Sequence, residues 1–410
     1  MSRLAPALLA LCLALPLGLL ARGGGLLGCH ATGRPPPAAA VSAKPGGAGE
    51  PAAPQPTLTR VPTADGAAVA LLRYPAAGPP VILVHGVSSN HATWDLDASH
   101  SLARTLQARG YDAWLLDLRG HGLATLDARG RRQRAGGSLD DYGRLDLPAA
   151  IEHVRAVTGY DRVGYVGHSM GGMVAAIYTA WQGDAALAAL VVVGSPVDFG
   201  QPDPLLQLAA AGTPLATLGP TLATPTLARM SAGLDRSPLF VDPFLFAPGS
   251  LTGPERKELY RTVVSPMSRG ELRQLRDSLH SGHFASVDGS VDYLAALHQL
   301  YVPLLVIAGR GDHVAPVDRV APFYEQAGSA DKALVVAGRV NGFGHDYGHL
   351  DLALGDDAPR EIHPRILAWL EGRWAAAPPG SQAGSATATA SDDEQAQQAG
   401  QPGSIHAADP

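Results

Sequence analysis

Beyond residue 29 the chain has no cysteine; its two, Cys12 and Cys29, both lie near the N-terminus. The body of the protein therefore has no internal disulfide, no cysteine-ligated metal site and no thiol nucleophile. Basic blocks are missing as well. A formal net charge of −6 over 410 residues is modest, and no lysine/arginine run is long enough to suit a phosphate backbone. Nucleic acid is not the expected partner. No internal repeat is visible, which leaves one folded region with extended ends as the simplest organisation for this length.

The N-terminus does carry a signal. Arg3 precedes an apolar run, Leu4 to Leu20, in the order of a secretory leader. Leu26-Leu27-Gly28-Cys29 then resembles a bacterial lipoprotein cleavage box, with Arg22 an unusual charge between run and box. The expectation is a leader over 1–29 and an exported protein anchored to the cell envelope by a lipid on Cys29. A periplasmic or secreted form after cleavage of a soluble signal is the alternative. Residues 30–56, including "GRPPPAAA" and "KPGGAGEPAAPQP", read as a Pro/Ala/Gly-rich linker. Residues 375–410 lack apolar periodicity and read as a disordered tail, so the folded domain is expected over 57–374.

Within that span, short apolar runs alternate with stretches of helical period. The runs are Val81 to His85, Ala113 to Asp117, Val163 to Val166, Leu190 to Val193, Leu304 to Ala308 and Ala333 to Val336. Continuous apolar runs suit strands buried on both faces. Candidate helices include Ser99 to Arg109 before Gly110, and Asp146 to Thr158 before Gly159. The alternation predicts an α/β fold with a doubly wound, mostly parallel sheet. Residues 196–302 interrupt it with Leu-, Ala- and Pro-rich stretches such as "PLLQLAAAGTPLATLGPTLATPTLARM" and a more charged helical piece around Glu271 to Leu279. This interval is far longer than an ordinary α/β loop and is expected to be an inserted apolar cap.

Gly167-His168-Ser169-Met170-Gly171 matches G-x-S-x-G between a buried strand and an amphipathic helix. There the sharp turn lifts the serine above the sheet, and glycines let neighbouring backbone approach. The helix N-terminus aims its amides at the same point. His85-Gly86-Val87 follows an earlier strand and could supply a second oxyanion amide from Val87, beside that of Met170. His85 reads as a structural histidine and His168 as pointing away from the serine. A serine hydroxyl needs a base, and the base a carboxylate, in the chain order Ser, acid, His. Asp312 follows the strand Leu304 to Ala308 and is the preferred acid, with Asp318 as runner-up. His349 is the preferred base and His345 the alternative. Their His-x3-His spacing, with Asp346 and Asp351, lacks further ligands in an obvious motif, so no metal is expected.

The stretches "VILVHGVSSNHATWDLD", "DYGRLDLPAAIEHVRAVTGYDRVGYVGHSMGG", "PLLVIAGRGDHVAP" and "GHLDLALGDDAPREIHPRILAWL" resemble the α/β-hydrolase superfamily, and within it the acid-lipase branch. The likeness spans most of 81 to 370 and is weakest in the insertion. It implies an α/β-hydrolase fold with a mostly parallel central sheet, flanking helices and an inserted helical cap. By the same resemblance Ser169 is the nucleophile, Asp312 the acid, His349 the base, and Val87 with Met170 the oxyanion hole. The implied activity is hydrolysis of carboxylic esters with apolar acyl chains, on a small-molecule or lipid ester, without a cofactor. Arg119-Gly120-His121-Gly122 is closer to general esterases and acyltransferases, and the segment 57–80 is short for the eukaryotic members. Polyhydroxyalkanoate synthases share the layout but use cysteine, and haloalkane dehalogenases aspartate, where this chain has Ser169. The other readings are an acyltransferase or thioesterase on the same triad and a non-catalytic envelope binding protein.

Overall fold

The structure, a computed structural model, describes residues 54–127, 129–133, 137–200, 221–222, 224–225, 228 and 242–376. The leader with Cys29, the linker up to 53, most of 201–241 and the tail beyond 376 lie outside the described residues. The strands are β1 (Thr57–Pro62), β2 (Ala68–Tyr74), β3 (Pro80–Val84), β4 (Asp112–Asp117), β5 (Val163–His168), β6 (Leu187–Val193), β7 (Thr221–Leu222), β8 (Met267–Ser268), β9 (Leu304–Gly309) and β10 (Lys332–Ala337). Eight form one sheet in the order β1-β2-β4-β3-β5-β6-β9-β10. From β4 to β10 every pairing is parallel, while β2 runs antiparallel to both β1 and β4. This is the mostly parallel, doubly wound sheet that the alternation of apolar runs and helical stretches predicts.

The apolar runs become strands because both of their faces are covered. Every residue of β3, β4, β5, β6 and β9 is buried. Ile82, Val84 and Leu116 pack on one side with the helices Leu147–Thr158, Met170–Gln182 and Val317–Gln326. Val81, Leu83 and Leu115 pack on the other with Leu102–Ala108 and His363–Ala376. Helices on both faces are what a parallel sheet requires, because its crossover connections place them there. Their ends follow local chemistry. Ser101 caps Leu102–Ala108 by accepting from the Arg104 amide, and Gly159 ends Leu147–Thr158 at φ 74°.

Residues 57–80, which stand outside the runs expected to be strands, form the β1–β2 hairpin. Asp65-Gly66 makes the turn, with Gly66 at φ 83° and the Thr63 amide donating to Ala67 O at 2.9 Å. The final helix, His363–Ala376, also runs past the expected boundary at 374. Among the described residues of the insertion are helices Gly253–Thr262 and Arg269–Ser281 and the antiparallel pair β7–β8. No described helix is long and apolar enough to cross a membrane.

Topology then places the site. From β3 the chain passes to β4 on one side and later to β5 on the other. Such a reversal leaves a crevice at the carboxyl ends of the strands. The loops opening there are His85-Gly86-Val87 after β3 and Ser169 after β5.

Candidate active site

Ser169 stands between β5 and helix Met170–Gln182 at φ 53° and ψ −117°, one of two non-glycine residues with positive φ among those described. Packing imposes this conformation. A Cβ on Gly167 would sit 2.5 Å from Gly171 C, and one on Gly171 would sit 2.7 Å from Val84 O. The helix can therefore turn tightly off β5 and lie against the end of β3 only with glycine on both sides of the serine. Gly172 is equally constrained, since its Cβ would meet Ser195 Oγ at 2.2 Å. The Ser169 amide donates to Val193 O at 2.8 Å, tying the bend to β6.

Two side chains from late in the sequence line up behind the serine, one on the other. His349 Nε2 is 2.9 Å from Ser169 Oγ, and His349 Nδ1 is 2.7 Å from Asp312 Oδ2. Both partners are buried, at 3% exposure each. Asp312 follows β9, and its Oδ1 accepts from the Val314 and Ala315 amides at 2.8 and 2.7 Å. Asp312 thus has a donor on each of its carboxylate oxygens. The histidine proton then belongs on Nδ1, donated to Asp312, which leaves the Nε2 lone pair to accept from the serine hydroxyl. Gly194, at φ 57°, backs this contact; its Cβ would lie 3.5 Å from Asp312 Oδ2 and 3.6 Å from His349 Nδ1. An imidazole acceptor on a hydroxyl, with a carboxylate behind it, can remove a proton from that hydroxyl as it attacks an electrophile.

The other candidates fall into place around these contacts. His345 does not reach the serine: its Nδ1 is 3.4 Å from Asp357 Oδ2 and its ring stacks on Tyr347 at 4.1 Å. The two histidines thus face different carboxylates. Asp318 is exposed in the first turn of Val317–Gln326. Val87 lies beside Gly86, whose Cβ would be 3.1 Å from Ser169 Cβ, so this loop touches the bend. Met170 opens the helix, where backbone amides have no intrahelical acceptor. His85 is structural, donating from Nδ1 to Gly86 O at 2.8 Å and accepting the Leu118 amide on Nε2 at 3.3 Å.

Two supports were missed. His168 does not lie clear of the site. Its Nε2 donates to His349 O at 3.0 Å and its ring centroid is 4.9 Å from that of His349. Burial, and then the neighbouring His349, pull its pKa down to about 3, so it remains a neutral donor at physiological pH. Asp351, fully buried, accepts from the Gly348 and Ala247 amides at 2.8 and 2.6 Å and from Ser250 Oγ. With Leu350 N donating to Leu245 O at 2.9 Å, it fastens the His349 loop to the inserted segment. No local motif signals either role, because each depends on a partner about a hundred or more residues away.

A family model described as alpha/beta hydrolase fold matches residues 79–346. Over 76% of this chain and 86% of the relative, the sequence is 26% identical to "Lipase member K" of Homo sapiens. It is 29% identical to a probable lipase of Schizosaccharomyces pombe, a match covering 24% of this chain and only 22% of that protein. Among solved structures, an esterase from Exiguobacterium antarcticum superposes with a TM-score of 0.53 at 19% identity, covering 76% of this chain and 99% of that one.

The conformation of Ser169 gives a stability test. A non-glycine residue in this region stores about 1–3 kcal/mol of strain, which glycine does not pay. Ser169→Ala and Ser169→Gly both remove the hydroxyl. Urea unfolding should find the glycine variant more stable by about 1 kcal/mol despite its more flexible unfolded state. Equal stability, or a more stable alanine variant, contradicts the strain.

Proposed function

Because the chain belongs to the α/β hydrolase family, we propose that it is a serine hydrolase cleaving carboxylic esters with apolar acyl chains through an acyl-enzyme on Ser169. The observation that carries this reading is the continuous contact Asp312–His349–Ser169 at 2.7 and 2.9 Å. The lipase names of its relatives favour an ester of a small molecule or lipid as substrate.

Ser169 Oγ attacks the ester carbonyl while its proton passes to His349 Nε2. The carbonyl oxygen gains negative charge, which the amides of Val87 and Met170 bind. Collapse of this intermediate expels the alcohol, which takes the proton from His349 and leaves the acyl group on Ser169. Water then attacks the acyl carbon, giving its proton to His349, and the second collapse returns that proton to Ser169 Oγ as the acid departs. Throughout, Asp312 orients the imidazole and stabilises its cation. No step requires a cofactor. The segment between β6 and β9 covers the acyl chain as a cap.

The chain is exported and held at the cell envelope by a lipid on Cys29, a reading supported by the apolar run Leu4 to Leu20 and the Leu-Leu-Gly-Cys box. Mass spectrometry of the membrane-extracted protein should find a mature N-terminus at an acylated Cys29; an unmodified cysteine or an intact leader contradicts it. For the chemistry, Ser169→Ala and His349→Ala should each lower kcat on a p-nitrophenyl ester by about 10⁴- to 10⁶-fold. His345→Ala should stay within about threefold, because that side chain only packs on Tyr347 and Asp357. Near-normal turnover by His349→Ala overturns the assignment of the base.

A further inference from the structure

Between helix Gly253–Thr262 and β8, the inserted segment presents Ser265, buried at 3% exposure against two loops of the sheet. A hydroxyl buried so completely is normally hydrogen-bonded. Ser265 Oγ accepts from the Gly122 amide, in the loop after β4, and from Asn90 Nδ2, in the loop after β3, each at 3.1 Å. Asn90 Nδ2 also donates to Thr262 O at 2.7 Å, while its Oδ1 caps the short 3-10 helix His91–Thr93 by accepting the Ala92 amide at 2.9 Å.

The main chain of Ser265 reaches closer to the site. Its amide donates to Ser88 O at 2.9 Å, and its carbonyl accepts from Ser88 Oγ at 2.7 Å. Thr224 Oγ1, also from the insertion, donates to the same carbonyl at 2.6 Å. Ser88 is therefore gripped by backbone and side chain at once. Its conformation requires such a grip: besides Ser169 it is the other described non-glycine residue at positive φ, 53°. Strain of this kind persists only where the surroundings over-determine the backbone.

Val87 lies between two residues that are both held. On one side Gly86 packs on the bend of the nucleophile, where a Cβ would be 3.1 Å from both Ser169 Cβ and His168 Nδ1. On the other, Ser88 is tied to Ser265. Planar peptides leave only two soft torsions per residue, so fixing both neighbours leaves the Val87 amide little freedom. An oxyanion donor gains most from that restraint, since it stabilises charge best when it is in place before the charge develops.

We propose that Ser265 of the inserted segment is a positioning residue that holds Ser88, and through it the adjoining Val87 amide, ready for the charge developing on the substrate carbonyl oxygen. This inference rests on the reading of Ser169 as nucleophile and Val87 as oxyanion donor. It gives the insertion a part in the rate of the reaction as well as in covering the substrate.

The test is Ser88→Gly in the full chain. Glycine adopts φ 53° without strain, which offsets the lost hydroxyl bond in stability while freeing the loop. Losing an oxyanion donor outright typically costs about 10²- to 10³-fold, so displacing one should lower kcat about tenfold. KM on p-nitrophenyl butyrate should stay within about twofold, and the thermal unfolding midpoint should not fall. An alkyl trifluoromethyl ketone reads the donor directly: Ser169 Oγ adds to its carbonyl carbon, the serine proton passes to His349, and the carbonyl oxygen becomes the anion. Its inhibition constant should rise about tenfold, in step with the loss of kcat. Ser265→Ala should lower kcat by a similar factor, and the double variant should lose at most about twofold more than Ser88→Gly, because both changes loosen one connection. A change in kcat of less than about threefold in Ser88→Gly overturns the inference, as does a loss of kcat with unchanged ketone inhibition or a lower unfolding midpoint, or losses that multiply in the double variant. Failure of a fluorophosphonate probe to label Ser169 in the wild type, mapped by peptide mass, removes the underlying reading of the site as well.

Discussion

A serine does not settle at φ 53° by its own preference; it is held there by a strand and a helix packed too closely to allow another path. Gly167 and Gly171 are the two places where that closeness leaves no room for a Cβ. The cores on the two faces of the sheet supply the force that keeps β5 and helix Met170–Gln182 together, since the helix is buried from Met170 to Thr179. A bend stabilised by so much packing positions one hydroxyl more rigidly than a surface loop could. Its neighbours at the switch point, the loop after β3 and the first turn of the helix, are fixed by the same packing.

Everything electrostatic is built around that hydroxyl. Burying an imidazole and a carboxylate is unfavourable unless each polar atom finds a partner. Asp312 meets this condition with two backbone amides on one oxygen and His349 on the other. His349 is in turn held from behind, through its carbonyl by His168 and through its loop by Asp351. The inserted segment contributes on both sides of the serine. Ala247 and Ser250 bind Asp351 under the histidine loop, and Ser265 binds Ser88 in the loop after β3. The insertion is therefore part of the framework of the site.

Much of this was legible in the chain. Strands β3 to β6 and β9 are buried throughout, so their apolar runs stood out, and Gly110 and Gly159 marked helix ends. Ser169, Asp312 and His349 appeared in the order in which the structure brings them together. The β1–β2 hairpin is harder to read because β1 is an edge strand with exposed and half-buried residues and no apolar run, although β2 carries the apolar run Ala68 to Leu72 and Asp65-Gly66 announces the turn between them. The supporting residues could not be read at all. His168 and Asp351 each look ordinary in their own sequence context, and their roles come from partners brought close only by folding.

The central claim is that the strained hydroxyl of Ser169 becomes a nucleophile through His349 and Asp312. The most direct measurement is an acid quench within the first turnover of p-nitrophenyl butyrate, followed by peptide mass mapping. The account predicts a burst of p-nitrophenol equal to the enzyme present and a butyryl group on the peptide containing Ser169. A butyryl group on any other side chain, or a burst without a covalent adduct, contradicts it.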